Sequence, residues 1–402
     1  MTANSPKLMP VAQALEKILE QIIPLKQSEQ LALLKANQRI LAVDQLAPIN
    51  VPPADNSSMD GYALAFADRG KSLVVSQRIT AGSSPSPLQA GTCARIFTGA
   101  EIPIGADTVV MQEKVTLDDT AKAKIPADLT LGQNVRPLGQ DIKQGNLVIA
   151  AGTRLDYRHL GLLASLGLAE VPVFRRPKVA LLASGDELAN AGEPLKPGQI
   201  YNSNQPLLTS LLEDLGADVI HAEKLADTQA ATEQALALAA EQADLILSTG
   251  GVSVGEEDHI KPAVEKLGKL GLWRIAIKPG KPLAFGEIKG VPFLGLPGNP
   301  VAVFVGAKIF LSPLLAKLSG ALFEPLEPAL QEATALFTAT TQIRQEYLRV
   351  RATKVKGEWQ LEAYPNQNSG VLSSVVWANA LAVLPPDSNI KPGDKVSFME
   401  IN

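Results

Sequence analysis

LILSTGGVSVGEEDHIKP, residues 245–262, carries an apolar run into Gly250 and Gly251, then sets Glu256, Glu257 and Asp258 side by side. A glycine turn between a strand pattern and a helix pattern offers open backbone amides and a helix N-terminus, which together favour an anion. Three carboxylates repel a bare phosphate. The stretch is therefore either a solvated acidic helix start or one edge of a site in which a metal ion offsets that repulsion. Gly250 to Gly255 has P-loop spacing, but Glu256 stands where such a loop needs lysine, so it is not a Walker site. GVSVG, centred on Ser253, also spells a nucleophile elbow. That hydrolase reading requires a distant histidine later in the chain, and the one candidate, His259, is six residues away and too close.

Outward from this stretch the texture alternates. KVALLAS (178–184), DVIHAEKL (218–225), DLILST (244–249), LWRIAIK (272–278), LAFGEI (283–288) and VPFLGLPG (291–298) read as strands. Helices are expected near 205–215, 228–241 and 260–267, with a long one from about 300. Such alternation implies a doubly wound, mainly parallel α/β sheet, which binds ligands at the carboxyl ends of its strands. This α/β domain is assigned to 177–325. Before it come a helical N-terminal region (1–48, with helices at 11–22 and 29–41 and Ser28 as a cap), a β-rich insertion (49–141) and an elongated linker segment (142–176) that packs with the N-terminal region. Short alternating runs at 326–402 imply a small antiparallel C-terminal β domain.

With 402 residues the chain suits several domains, and its net charge of −4 and pI near 5.6 leave no basic face for a nucleic-acid partner. Cys93 has no second cysteine to pair with, and His159, His221 and His259 lack zinc-ligand spacing. The N-terminus shows helical periodicity rather than a leader pattern, and the most apolar stretch, 299–318, is interrupted by Lys308 and Pro313. The expectation is a cytoplasmic protein without a membrane span.

The strand ends carry the chemistry. ASGDEL places Asp186 and Glu187 after the first strand, LADTQ places Asp227 after the second, and Asp258 follows the third. IKPGKP sets Lys278 and Lys281 about a Pro-Gly turn, and GLPGNP supplies Pro297, Asn299 as a helix N-cap and Pro300 in the first turn. Carboxylates beside glycine loops and lysines are what a Mg²⁺-bridged phosphate ester or pyrophosphate requires. In the insertion, PADNSSMDGYAL gathers Asp55, Asn56, Asp60 and Gly61, and RIFTGAEIPIGADTVVMQE gathers Thr98, Gly99 and Asp107. On their own these are ordinary turn residues.

NSSMDGYA, RIFTGAEIPIGADTVVMQE, SGDEL, STGGVSVGEEDH, IKPGKP and GLPGNPV, in this order and spacing, closely resemble the molybdopterin molybdenumtransferase family, MoeA of bacteria and the gephyrin E domain. The resemblance runs from about Leu8 to the C-terminus. It implies a four-part elongated subunit and a homodimer whose cleft uses both chains. The implied activity is Mg²⁺-dependent ligation of molybdate to adenylylated molybdopterin, releasing AMP and giving molybdenum cofactor. A molybdopterin adenylyltransferase and apo-molybdoenzymes are the implied partners. Carried over by position, Asp60, Thr98, Glu187, Asp227, Asp258, Lys278 and Lys281 are the catalytic set. Among them Glu187, Asp227 and Asp258 hold the metal. Asp141, Gly250, Gly251, Ser253, Pro297, Asn299, Pro300, Arg349 and Ser369 bind substrate. The chain departs from the family pattern at Ser184 in ASGDE, at Asn202 in YNSN where Asp is common, and at Thr228 where a second Asp often stands. Two rival readings share features with this one: the adenylyltransferase step, which uses a related glycine-loop domain, and a receptor-clustering scaffold like the gephyrin E domain.

Overall fold

The computed structural model describes residues 8–226, 228–251, 259–272, 274–280, 283–322 and 329–401. Val11–Gln21 is a helix, as expected, because Val11, Ala14, Leu15, Ile18 and Leu19 form one apolar stripe and bury it. The helix expected at 29–41 is absent. Ser28–Ala32 is instead a strand paired antiparallel with Glu170–Phe174, and Leu33–Lys35 is a single 3₁₀ turn. Leu33, Ala36, Ile40 and Leu41 do mimic helical spacing, but Leu33, Ala36 and Leu41 pack on Leu155, Leu163, Val171 and Val173, and Ile40 turns to Ala316 and Ala321, all from an irregular chain. A neighbouring strand edge that can take the backbone hydrogen bonds outweighs a modest helix propensity.

The insertion is built on six strands in the order Thr108–Met111, Gly61–Leu64, Thr92–Ile96, Ser72–Ile79, Ala123–Lys124 and Thr116–Leu117. The α/β sheet also has six strands, ordered Asp218–Leu225, Lys178–Ser184, Leu245–Thr249, Val291–Leu296, Ala284–Ile288 and Gly268–Leu272. The first four run parallel, Ala284–Ile288 runs against them, and Gly268–Leu272, antiparallel to it, resumes their direction. Alternate residues of Leu245–Thr249 serve opposite cores: Leu245 and Leu247 pack with Leu208, Leu212 and the helix from Pro300, while Ile246 packs with Leu236, Ile260 and Val264.

The LWRIAIK run is not one strand. Gly268–Leu272 closes the sheet edge, whereas Ile277–Lys278 pairs in parallel with Gln345 and Glu346 of the C-terminal domain. Pro300–Leu318 is one helix of 19 residues, long and apolar enough to cross a membrane, and 83% of it is buried inside the protein. Pro313 does not interrupt it. A π turn at Ala307–Leu311 precedes the proline and absorbs the irregularity.

In the C-terminal domain Gln345–Val355 pairs with both Glu358–Ala363 and Ala380–Leu384, and the circuit closes through Gln331–Ala335 and Lys395–Glu400. This is a closed five-stranded arrangement rather than an open antiparallel sheet, and one of its pairings is parallel, Thr334–Ala335 against Gln360–Leu361. Closure removes exposed edges.

Candidate active site

From Lys178–Ser184 the chain first adds a strand on one side, then returns to add Leu245–Thr249 on the other. The carboxyl ends of these two strands flank the switch point, where open α/β sheets bind ligands. Gly250 and Gly251 stand there with φ of +78° and +63°. A Cβ on Gly250 would meet the Ser184 carbonyl oxygen at 2.6 Å, and one on Gly251 would meet Ile260 Cγ1 at 2.6 Å. Glycine is thus required by both conformation and space. The Gly250 N–H donates to the Leu296 carbonyl at 3.2 Å, and a Cβ on Gly298 would lie 3.8 Å from the Gly250 Cα, so the GLPGNP turn lies against the glycine pair. A Cβ on Gly280 would lie 3.9 Å from Pro297, which brings the KPG turn to the same crevice.

Glu187 sits on the turn after the first strand, with its carboxylate oxygens 2.6 and 2.8 Å from where a Cβ on Gly185 would stand. Lys224 Nζ holds that turn by donating to the carbonyls of Leu188 (2.6 Å) and Asp186 (3.3 Å). Glu187 is exposed, and among the described residues no hydrogen bond or ion pair engages its carboxylate. Asp227, Ser253, Asp258 and Lys281 lie outside the described residues, so the geometry of the full acid set is confined to Glu187. As oxygen donors, Glu187, Asp227 and Asp258 are of the chemical type that suits a hard divalent cation such as Mg²⁺.

Asn299 occupies the N-cap position with Pro300 following, but its side chain makes no capping hydrogen bond. The Val301 N–H donates instead to the Ser369 carbonyl at 3.1 Å, and Asn299 is exposed. Ser369 therefore meets the α/β domain through its backbone. Arg349, carried over as a substrate contact, is 1% exposed. Its Nε donates to Ser374 Oγ at 3.0 Å and its Nη2 to the Asn368 carbonyl at 3.3 Å. Burial with no carboxylate partner lowers its pKa to about 10, which leaves it charged at neutral pH. Arg349 thereby pins the loop bearing Ser369.

Lys278 Nζ donates to Glu346 Oε1 at 2.9 Å; the acid side chain is 10% exposed and the lysine 48%. Two contributors escaped the sequence reading. Glu346 belongs to a domain whose approach to the IKPGKP turn no local pattern announces. Asn204, 8% exposed, donates from Nδ2 to the Gly298 carbonyl at 2.7 Å, and its Oδ1 is buried with no partner among the described residues.

In the insertion, Asp60 Oδ1 accepts from the Thr98 backbone N–H at 2.8 Å and from Thr98 Oγ1 at 2.9 Å. The backbone bond, then the hydroxyl bond, and at longer range the Arg95 charge hold the Asp60 carboxyl below its ordinary value. Asp141 lies on another turn, where its N–H donates to the Val51 carbonyl at 3.0 Å. The described hydrogen bonds of Asp60, Thr98 and Asp141 stay within the insertion and its base, so this chain's own contacts do not join them to the crevice.

Residues 9–167 match the MoeA N-terminal region (domain I and II), 180–317 the probable molybdopterin binding domain and 335–401 the MoeA C-terminal region (domain IV). The chain is 40% identical to the molybdopterin molybdenumtransferase of Haemophilus influenzae, over 98% of this chain and 99% of that protein. The chain belongs to the molybdopterin molybdenumtransferase family. It is 36% identical to the molybdopterin molybdenumtransferase of a Nostoc species, over 98% of this chain and 94% of that protein. The solved molybdopterin biosynthesis moeA protein of Pyrococcus horikoshii superposes with a TM-score of 0.85 at 30% identity, covering 98% and 99% of the two chains. As a molybdopterin molybdenumtransferase family member the protein is an enzyme of the transferase class, and its role is in molybdenum cofactor biosynthesis.

Two of the three departures from the molybdopterin molybdenumtransferase pattern have local explanations. Thr228 is the N-cap of Gln229–Gln242, its Oγ1 accepting from the Ala231 N–H at 3.3 Å. Asn202 Oδ1 accepts from the Gln205 N–H at 3.1 Å, a first-turn bond that needs an acceptor and not a charge.

Proposed function

We propose that this transferase inserts molybdate into adenylylated molybdopterin and releases AMP. The observation that carries the reading is the convergence of the Gly250–Gly251, Pro297–Pro300 and Lys278–Gly280 turns on the switch point of the sheet, with a half-exposed lysine among them. The amides of the Gly250 loop, which continues to Ser253, receive the phosphates, and Lys278 and Lys281 offset their charge. Pro297 and Pro300 stiffen the adjoining turn, and the exposed Asn299 amide, which makes no capping bond, would hydrogen-bond the ligand. Glu187, Asp227 and Asp258 would hold Mg²⁺, which supplies charge neutralisation at the pyrophosphate. Asp60, Thr98 and Asp141 complete the cleft from the partner chain of a homodimer. Arg349 and Ser369 support it through the C-terminal domain.

No enzyme nucleophile is required. Cys93, the sole thiol, is buried and pushed up to about 11 by that burial. The enzyme works in the cytoplasm, taking its substrate from a molybdopterin adenylyltransferase and passing the product to apo-molybdoenzymes.

The test is to supply adenylylated molybdopterin, Mg²⁺ and molybdate, and to follow AMP release together with activation of an apo-molybdoenzyme. AMP release that depends on both molybdate and Mg²⁺, with activation of the recipient, is expected. Formation of adenylylated molybdopterin from ATP would favour the adenylyltransferase alternative. The absence of both reactions would favour a scaffold.

A further inference from the structure

Lys278 does not belong to the sheet whose crevice it serves. Its segment leaves the α/β domain, and four contacts bind it to residues 344–346, at the start of the strand Gln345–Val355. The Gln345 N–H donates to the Ala276 carbonyl at 2.9 Å. Ile277 and Lys278 pair in parallel register with Gln345 and Glu346. Arg344 Nη1 approaches the Ile277 carbonyl at 3.5 Å, and Lys278 Nζ donates to Glu346 Oε1 at 2.9 Å.

The exposures of the ion pair are asymmetric. Glu346 is almost wholly enclosed, whereas about half of the Lys278 side chain remains open. A free lysine samples many rotamers and presents its charge diffusely. One buried carboxylate at one side of the ammonium fixes the direction of the stem and uses one of three N–H donors, leaving two for another anion. The enclosed acid is also screened less by salt than a surface partner would be.

We propose that Glu346 is the positioning residue for Lys278: the C-terminal domain holds the lysine ammonium toward the crevice, where it meets the substrate's phosphate. This inference rests on the reading of Lys278 given above. Glu346 touches no reacting atom; it acts through the lysine.

A double-mutant cycle in the full-length enzyme tests it, with KM for adenylylated molybdopterin and kcat measured separately in the AMP-release assay, and melting temperature measured alongside. Lys278→Ala is expected to raise KM about tenfold or more. Glu346→Ala should raise it about fivefold in the parent enzyme but less than about twofold in the Lys278→Ala background, because the lysine it positions is gone. Glu346→Gln keeps an acceptor oxygen for Nζ and should keep KM within about threefold of the parent. An equal KM increase from Glu346→Ala in both backgrounds, or none in either, overturns the positioning role. An unchanged KM in Lys278→Ala overturns the premise about Lys278, and the inference falls with it. If Glu346→Ala fails to fold, the Glu346→Gln and Lys278→Ala pair still decides: a tenfold KM increase in Glu346→Gln alone contradicts positioning by a hydrogen bond.

Discussion

At single residues, polar side chains in this protein act mostly by holding loops. Asp60 binds Thr98 through two hydrogen bonds that favour its ionised form, so its folded pKa lies below the ordinary carboxylate value. The sign follows: the contact contributes stability above the ordinary carboxylate range and loses it as pH falls through the lowered folded value. Thr98→Ala removes the hydroxyl bond but keeps the backbone bond. The Asp60 pKa, followed by carboxyl NMR titration, should rise part-way toward its ordinary value; no movement would show that the hydroxyl is not a partner. Asp60 and Thr98 were legible as polar turn residues because their motifs are contiguous. The burial of Arg349 was not legible, since an arginine in YLRVRA could face either side of its strand.

At the level of elements, the glycine turn is set by contact as much as by conformation. Gly250 and Gly91 both have positive φ, +78° and +72°, but only Gly250 has a neighbour in the way, the Ser184 carbonyl; the space around Gly91 is open. Gly91→Ala should therefore cost only the left-handed penalty of about 1–2 kcal/mol. Gly250→Ala should cost at least about 1 kcal/mol more, because a backbone oxygen must move. Thermal melts of the two variants compare these costs directly, and equal losses would refute the steric argument. Apart from LWRIAIK, the strands and helices of the α/β domain were readable from periodicity to within about two residues, as at Asp218–Leu225 and Ile260–Leu267. The element at 29–41 was not readable, since its apolar spacing satisfies a helix, while the open edge of Glu170–Phe174 satisfies its backbone better.

Over the whole molecule, the crevice is assembled by domains distant in sequence. The C-terminal circuit of strands reaches it twice, through Glu346 to Lys278 and through the Ser369 carbonyl to the Val301 N–H. The insertion's Asp60 and Thr98 engage each other, and their described hydrogen bonds do not reach the crevice, so in the proposed function they act from a second copy. Two inactive variants damaged on opposite sides, Asp60→Asn and Glu187→Gln, should then complement on subunit exchange. A random mixture should recover about a quarter of parent activity, because half of the dimers are mixed and each carries one undamaged site. Activity no higher than either variant alone would place both residues in one chain's site.

The sequence alone determined the α/β alternation, the glycine turns at the strand ends and the family resemblance, because each is written in contiguous residues whose local geometry follows from their chemistry. Only the tertiary structure decided that Lys278 leaves the sheet to pair with Glu346, that Arg349 is buried under the Ser369 loop, and that residues 28–32 form a strand. These outcomes depend on which distant backbone edge or side chain comes within hydrogen-bonding reach, and a chain acquires such neighbours only by folding.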